Sequence, residues 1–133
     1  MITAVDSSVL LDVFLADPTW SERSADALRE ALRLGAVVAC EPVWTECGAV
    51  FADIERFVAQ MEDLTIRFDA IERDAALRAA TFWRSYRTAG GRRERVAADF
   101  LIGAHAAAQA DRLLTRDGGF YRSHFVGLVV VEP

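Results

Sequence analysis

Four acidic residues lie where the sequence predicts strand ends or the first turns of helices. Asp6 and Asp117 each follow a short apolar strand, Glu46 lies one turn into a helix, and Asp99 opens an alanine-rich helix. Carboxylates that converge on one cleft repel one another unless a divalent cation holds them together. Oxygen-only ligation is what hard ions such as Mg²⁺ and Mn²⁺ prefer. The joint placement therefore indicates a divalent-cation site.

Each of these acids also has an ordinary structural explanation. Asp6 could form an Asx turn, and Asp117 could be a turn residue before two glycines. Asp99 could be favoured by the helix dipole, and Glu46 could simply face water. Against this, the residues three, four and seven positions after Asp99 are Ile, Gly and Ala, so its helix face is apolar or small. The chain has 20 acidic residues, so the position of any one of them proves little. The evidence for a cation site is the joint placement of the four.

Strands and helices alternate along the chain, which predicts an α/β fold with a mostly parallel sheet covered on both faces. The predicted strands are Ile2–Val5, Ala36–Cys40, Leu64–Phe68, Arg112–Leu114 and Leu128–Val131. The predicted helices run from Ser7 or Ser8 to about Ala16, Ser21 to Leu34, Glu41 to about Ala52, Ile54 to Asp63, Asp69 to about Thr88, and Val96 to Ala110. Such sheets bind ligands at the carboxyl ends of their strands, so Asp6 and Asp117 should share one edge.

Several of these boundaries rest on specific capping residues. Ser7 or Ser8 can N-cap the first helix, and Gly35 is well placed to end the second. Asp69 followed by Glu72 is typical of a capping box, which places the start of the long helix there.

The composition is that of one folded domain spanning residues 1–133, with 53% apolar and 26% charged residues. All 15 basic residues are arginines, which excludes chemistry that needs a lysine, such as a Walker A motif or a Schiff base. The net charge of −5 argues against a protein coated in positive charge, but leaves room for a local basic patch.

Other features argue against alternative classes of protein. Cys40 and Cys47 have no zinc-ligand spacing and are expected to be buried hydrophobic residues, while His105 and His124 lack a partner at metal-ligand spacing. No apolar run approaches the roughly 18 residues that span a bilayer, and the N-terminus does not look like a signal peptide. We therefore expect a cytoplasmic protein.

Four segments in order resemble the blocks of PIN domains, most closely the toxin ribonucleases of VapBC-type toxin–antitoxin pairs. They are AVDSSVLLDVF, CEPVWTECGAVF, RVAADFLIGAHA and LLTRDGGFYRSHF, and together they extend over essentially the whole chain. The resemblance implies a three-layer α/β/α PIN-like fold with a central sheet of about five short strands. It also implies a homodimer that cleaves RNA and is inhibited by a small VapB-like antitoxin, whose C-terminal tail enters the site.

The resemblance also assigns roles to individual residues. It implies that the acidic site binding Mg²⁺ or Mn²⁺ consists of Asp6, Glu46, Asp99 and Asp117. It implies that Ser7 and Thr115 are the small hydroxyl residues supporting that site. Many relatives carry a second polar or acidic residue shortly after the fourth acid, where this chain has two glycines, so Asp117 is the least secure ligand.

Arginines near the acids are predicted to hold RNA phosphates flanking the cleavage point. The candidates are Arg92, Arg93, Arg95 and Arg116; a solvated loop with Glu94 as local partner explains the first three equally well. An aromatic side chain could stack on an unpaired base. The aromatics available are Trp44, Phe120 and Tyr121, for which a place in the core is the simpler expectation.

Two other functions are alternatives to the nuclease. A haloacid-dehalogenase-type phosphatase with Asp6 as nucleophile needs an acid two residues later, where the chain has Ser8. A non-catalytic PIN-like module that only binds a partner would be expected to lack one or more of the acids, and all four are present.

Overall fold

A five-stranded sheet forms the centre of the computed structural model, which describes residues 1–92 and 95–133. Its strands are β1 (Ile2–Val5), β2 (Ala36–Ala39), β3 (Ile66–Phe68), β4 (Arg112–Leu114) and β5 (Val130–Val131). The strand order is β3-β2-β1-β4-β5, and every neighbouring pair is parallel. The predicted α/β class and five short parallel strands are confirmed.

Helices within the described residues connect and flank the strands. They are α1 (Ser7–Phe14), α2 (Ser21–Leu34), α3 (Glu41–Gly48), α4 (Ile54–Asp63), α5 (Arg73–Thr88), α6 (Ala97–Gln109) and α7 (Gly118–His124). Successive residues of β1 point to opposite faces of the sheet, yet Thr3, Ala4 and Val5 are all at most 2% exposed. Both faces are therefore covered, which explains why β2 is apolar throughout and β1 has only one polar residue. No described helix is long and apolar enough to cross a membrane.

The start of α1 differs from the prediction that Ser7 or Ser8 caps it. Asp6 occupies the N-cap position with extended backbone angles, and no side chain caps the helix. The two serine hydroxyls instead donate to carboxylates, Ser8 to Asp6 and Ser7 to Glu46. The serines bind neighbouring acids because the strand end brings those acids within reach.

The predicted capping box of α5 is wrong as well. The helix begins at Arg73 with Glu72 at its N-cap, and no side chain caps it. Asp69 lies 2.7 Å from Nε2 of His105 on α6, and the Gln109 side chain donates to the same carboxylate oxygen at 3.1 Å. A long-range polar network has replaced the local cap, and it ties the segment before α5 to α6.

Several other element bounds differ from the predicted ones. Helix α1 ends at Phe14 instead of about Ala16, β2 ends at Ala39 instead of Cys40, β3 begins at Ile66 instead of Leu64, and β5 extends only over Val130–Val131. Helix α3 ends at Gly48 instead of about Ala52, where the chain turns into α4. Gly118–His124 forms α7, although two glycines at its start disfavour a helix locally. Packing decides here, because the α7 residues Phe120 and Tyr121 are at most 8% exposed.

Aromatic side chains join α5, α6 and α7 into one cluster. Phe100 lies within 6.2 Å, between ring centroids, of the rings of Trp83, Tyr86, Phe120 and Phe125. Burial of such rings contributes much of the stability of a small domain. The cluster also fixes the first turn of α6, where Asp99 precedes Phe100. As predicted, both cysteines are free and buried.

Candidate active site

Asp6 is the most buried of the four acids and lies just beyond β1. The residue is 7% exposed, and its backbone N–H donates to the Leu114 carbonyl at 2.9 Å, which continues the pairing of β1 with β4. Its Oδ2 accepts hydrogen bonds from Thr115 Oγ1 at 2.7 Å and from the Ser8 hydroxyl at 3.0 Å. Burial raises the pKa of Asp6, and these hydrogen bonds oppose the rise.

Glu46 reaches the same region from α3. Its Oε1 accepts a hydrogen bond of 3.0 Å from the hydroxyl of Ser7, which directly follows Asp6. Loss of water around the carboxyl raises the pKa of Glu46, and the charges of Asp6 and Asp99 raise it further. The structure thus brings Asp6, Ser7 and Glu46 together.

Asp99 enters the site from the first turn of α6. Its carboxylate accepts a hydrogen bond of 3.3 Å from the backbone N–H of Val96, and one oxygen lies 3.9 Å from Nη1 of Arg95. Partial burial raises the pKa of Asp99, and the Val96 N–H and the Arg95 charge oppose that rise. Asp99 is half-buried, as its apolar helix face predicts.

Asp117 is paired with a positively charged side chain, that of Arg95. Its carboxylate forms an ion pair with Nη1 of Arg95, and its backbone N–H donates to Thr115 Oγ1 at 2.9 Å. The Arg95 guanidinium also lies 4.0 Å from the centre of the Phe120 ring, within cation–π range. Thr115, fully buried, therefore links Asp6 to Asp117, and Arg95 links Asp117 to Asp99.

The predicted phosphate-binding arginines are distributed differently. Arg95 lies within the acidic site, Arg92 is exposed just before it, and Arg93 lies outside the described residues. The Arg116 guanidinium pairs at 2.7 Å with Asp12, which is 3% exposed, and lies 4.9 Å from the centre of the Trp20 ring. Arg116 therefore neutralises a buried acid between α1 and α2, and the structure does not bring it to the four acids.

The chemistry of the donors suits a hard divalent cation. Within residues 1–92 and 95–133, no ion pair involves Asp6 or Glu46, so a buried carboxyl and its neighbour carry no compensating charge. In that same part of the chain, no three His, Cys, Asp or Glu side chains converge closely enough to hold one ion. By chemical type the oxygen donors suit Mg²⁺ or Mn²⁺; Asp6, Asp99 and Glu46 are the residues that would hold it, at most two of them directly and the third through water.

A buried hydroxyl next to these acids gives a second indication of the fit. Tyr121 is 1% exposed, and its hydroxyl has no hydrogen-bond partner among the described residues. Burial raises its pKa, and the charges of Asp6, Asp99 and Asp117 raise it further. A buried donor without a partner is costly, and water held by a cation at this site would satisfy it.

Sequence reasoning missed three contributors to the site. The Ser8 hydroxyl on Asp6, the Arg95–Asp117 pair and the unpartnered Tyr121 hydroxyl all depend on distant segments meeting. Only Arg95 carried a usable signal, because a basic residue four positions before an acid on the following helix can reach it.

A PIN domain model matches residues 3–125, which is nearly the whole chain. The chain belongs to the PIN domain family. No curated protein matches this PIN domain at a significant level.

Solved structures of toxin–antitoxin systems share the fold of this PIN domain. A chain of VapBC2 from Rickettsia felis, bound to a promoter DNA fragment, superposes with a TM-score of 0.77 at 14% identity, covering 99% of this chain and 98% of that one. A chain of VapBC-1 from nontypeable Haemophilus influenzae gives 0.76 at 13% identity, with the same coverage. VapC20 from Mycobacterium tuberculosis, described as a sarcin–ricin loop cleaving toxin, gives 0.66 at 17% identity, covering 98% and 99%. The predicted family and PIN-like fold are confirmed.

Proposed function

We propose that this PIN domain is a Mg²⁺- or Mn²⁺-dependent endoribonuclease that acts as the toxin of a type II toxin–antitoxin pair. The observation that carries the proposal is the Asp6 carboxyl: it is buried at the strand ends beside Glu46 and Asp99, accepts hydrogen bonds from two hydroxyls, and forms no ion pair with any described residue. Membership of the PIN family and the shared fold with VapC20, an RNA-cleaving toxin by its description, support RNA as the substrate.

The chain's own residues divide the work at this site. Asp6 and Asp99 would hold the cation directly, Glu46 would ligate it or orient the attacking water, and Asp117 would act at the rim. Ser7 and Thr115 keep Glu46 and Asp6 in place through their hydrogen bonds. When bound, the cation supplies Lewis-acid chemistry that activates water and stabilises charge on phosphate oxygens.

The partners in this proposal follow from the same relatives. The VapBC structures support a cognate antitoxin, VapB-like, as the regulator of this chain. The toxin would be a single domain over residues 1–133 that works as a homodimer in the cytoplasm, where its RNA substrate lies. Size-exclusion chromatography with light scattering measures the oligomeric state directly.

The first prediction concerns cleavage itself. The purified protein should cut RNA with Mg²⁺ or Mn²⁺ and stop in EDTA, and Asp6→Asn and Asp99→Asn should each slow cleavage by about 100-fold or more, since each removes a charge that holds the cation. A quenched fluorescent RNA measures the rate. The matched control is Asp63→Asn, an exposed acid at the end of α4, which should cut like the parent.

Equal rates for the parent and the Asp6→Asn and Asp99→Asn variants would overturn the catalytic assignment. Absence of cleavage by a folded parent on any RNA, with an antitoxin still bound tightly, would identify a non-catalytic binding module instead.

A further inference from the structure

Arginines are concentrated in one acid-free stretch of the chain. Residues 75–93 contain Arg78, Arg84, Arg87, Arg92 and Arg93 and no Asp or Glu, although the whole protein has a net charge of −5. The nearest acids along the chain are Asp74 on one side and Glu94 on the other. The stretch covers most of α5 and the segment that leads to the acidic site, and Arg93 lies outside the described residues. Positive charge is thus concentrated in the part of the sequence that precedes Asp99.

The arginines at the C-terminal end of α5 are exposed, and no acid among the described residues pairs with them. Arg78 pairs with Asp74 at 2.9 Å, one turn into the helix. Among the described residues, no ion pair includes Arg84, Arg87 or Arg92. A favourable interaction with the helix dipole explains a basic residue in the last turn, which accounts for Arg87 alone.

A groove of about 490 Å³ lies between the end of α5 and the segment before α6. Trp83, Arg87, Arg92 and Arg95 are among the residues that line it. Arg95 also pairs with Asp117 and lies 3.9 Å from Asp99, so the groove and the acidic site meet at this one side chain. A strand of polymer lying in the groove would run directly into the site.

Backbone geometry holds the wall of this groove in place. The Tyr86 hydroxyl donates to the Arg92 carbonyl at 2.8 Å, and the Gly91 N–H donates to the Tyr86 carbonyl at 2.8 Å. A Cβ at Gly91 would lie 2.4 Å from the Tyr86 ring, so only glycine allows the chain to pass this closely. The position of Arg92 is therefore built into the fold.

Trp83 provides an aromatic surface beside these charges. The half-buried indole stacks on Phe100, with centroids 5.9 Å apart and planes 15° from parallel, and the Arg87 guanidinium lies 6.0 Å from the indole centre. Phe100 directly follows Asp99, which fixes the indole relative to the site. Arginines that track a backbone together with an aromatic ring on which a base can stack are the features of single-strand binding grooves.

We infer that the groove between α5 and the segment before α6 binds single-stranded RNA and leads it into the acidic site. Arg87 and Arg92 contact phosphates in the groove, and Trp83 contacts a base. Arg84 contacts a further phosphate from the adjoining pocket, which Trp83 and Arg87 also line. Charge complementarity indicates a polyanion, and the Trp83 ring together with continuity with the acidic site through Arg95 favours RNA over an acidic protein as the occupant. The inference rests on the proposed nuclease function only in the part that says the RNA is led to the acidic site; binding of RNA in the groove does not depend on it.

The test measures RNA binding without cleavage. Fluorescence anisotropy of a fluorescein-labelled 12-nucleotide single-stranded RNA in EDTA gives the affinity at several salt concentrations. Arg84→Gln and Arg87→Gln should each weaken binding about fivefold, and each should flatten the slope of log K against log salt by about 0.7. The matched control is Arg33→Gln, an exposed arginine paired with Glu30 on α2, which should bind like the parent.

Trp83→Leu provides a second measurement. It should weaken binding about tenfold with the salt slope unchanged, because stacking involves no counterion release. Circular dichroism checks that the variant is folded, and Trp83→Phe keeps a ring against Phe100 if it is not. The arginine variants decide the inference in either case.

Binding by both arginine variants within twofold of the parent, with an unchanged salt slope, overturns the inference. If those variants instead lose affinity for polyglutamate and keep it for RNA, the groove is a protein-binding surface and the inference is wrong. A parent that binds RNA through the groove but never cuts it refutes the nuclease function alone. A parent that cuts RNA while the groove variants bind and cut equally well refutes the groove alone.

Discussion

Arg95 is a positively charged residue within the acidic site, and it distinguishes Asp117 from Asp6 and Glu46, which have no ion pair among the described residues. Its guanidinium pairs with Asp117, while none of the ion pairs in residues 1–92 and 95–133 involves Asp6. We therefore expect Asp117→Asn to slow cleavage about 10-fold, as loss of an outer-shell partner does, and to leave Mn²⁺ affinity within about threefold of the parent. Isothermal titration with Mn²⁺ and the RNA assay measure the two effects, with Asp6→Asn as the comparison.

A loss of Mn²⁺ binding in Asp117→Asn as large as in Asp6→Asn would make Asp117 a direct ligand instead.

The sequence could place Asp6 and Asp117 at one edge of the sheet, because both follow predicted parallel strands. It could not separate their roles, because the partner of Asp117 arrives from the segment before α6. Arg116 shows the same limit: it follows β4 as expected, but its side chain turns to the buried Asp12.

Packing of α6 against α7 limits what can replace the small residues of α6. A Cβ at Gly103 would lie 2.4 Å from the ring of Phe125, which is 1% exposed and held by other rings. Gly103→Ala should therefore lower the free energy of unfolding by about 1–2 kcal/mol, because overpacking outweighs the gain of about 1 kcal/mol in helix propensity. Urea unfolding of the variant and the parent measures this difference in the free energy of unfolding. Gly119→Ala, with nothing within 4 Å, should stay within about 0.5 kcal/mol of the parent or exceed it.

A Gly103→Ala variant at least as stable as the parent would mean that the aromatic cluster is loosely packed.

The sequence pattern predicted α2, α4, β1 and β4 with the bounds that the structure has. It failed for α7, where two glycines hide a helix that exists through the burial of Phe120 and Tyr121. It also failed at Asp69, where a local capping pattern lost to a long-range contact with His105.

Charge is divided unevenly over the whole molecule, with arginines gathered along α5 and carboxylates gathered at the strand ends. Asp6, Glu46 and Asp99 all have raised pKa values, in each case chiefly because of burial; a neighbouring carboxylate adds to the rise, Asp99 at Asp6, Asp6 and Asp99 at Glu46, and Asp117 at Asp99. The folded state therefore binds more protons than the unfolded state above about pH 4, where free carboxyls ionise. The free energy of unfolding falls as pH rises wherever that holds.

The metal-free protein should therefore become less stable as the pH rises. In EDTA, the urea midpoint should fall from pH 5 to pH 8, and it should fall less in Asp6→Asn, which lacks one of the three groups. The exposed acids Asp17 and Glu30 have lowered pKa values, so their stabilisation is lost only as pH drops below about 4, outside this range. Mn²⁺ at about 100 times its dissociation constant should add about 2.7 kcal/mol at pH 8 to the parent only. A midpoint that rises between pH 5 and pH 8 in EDTA would mean that the three carboxyls are not buried as the structure has them, since an exposed carboxyl has no reason to retain its proton.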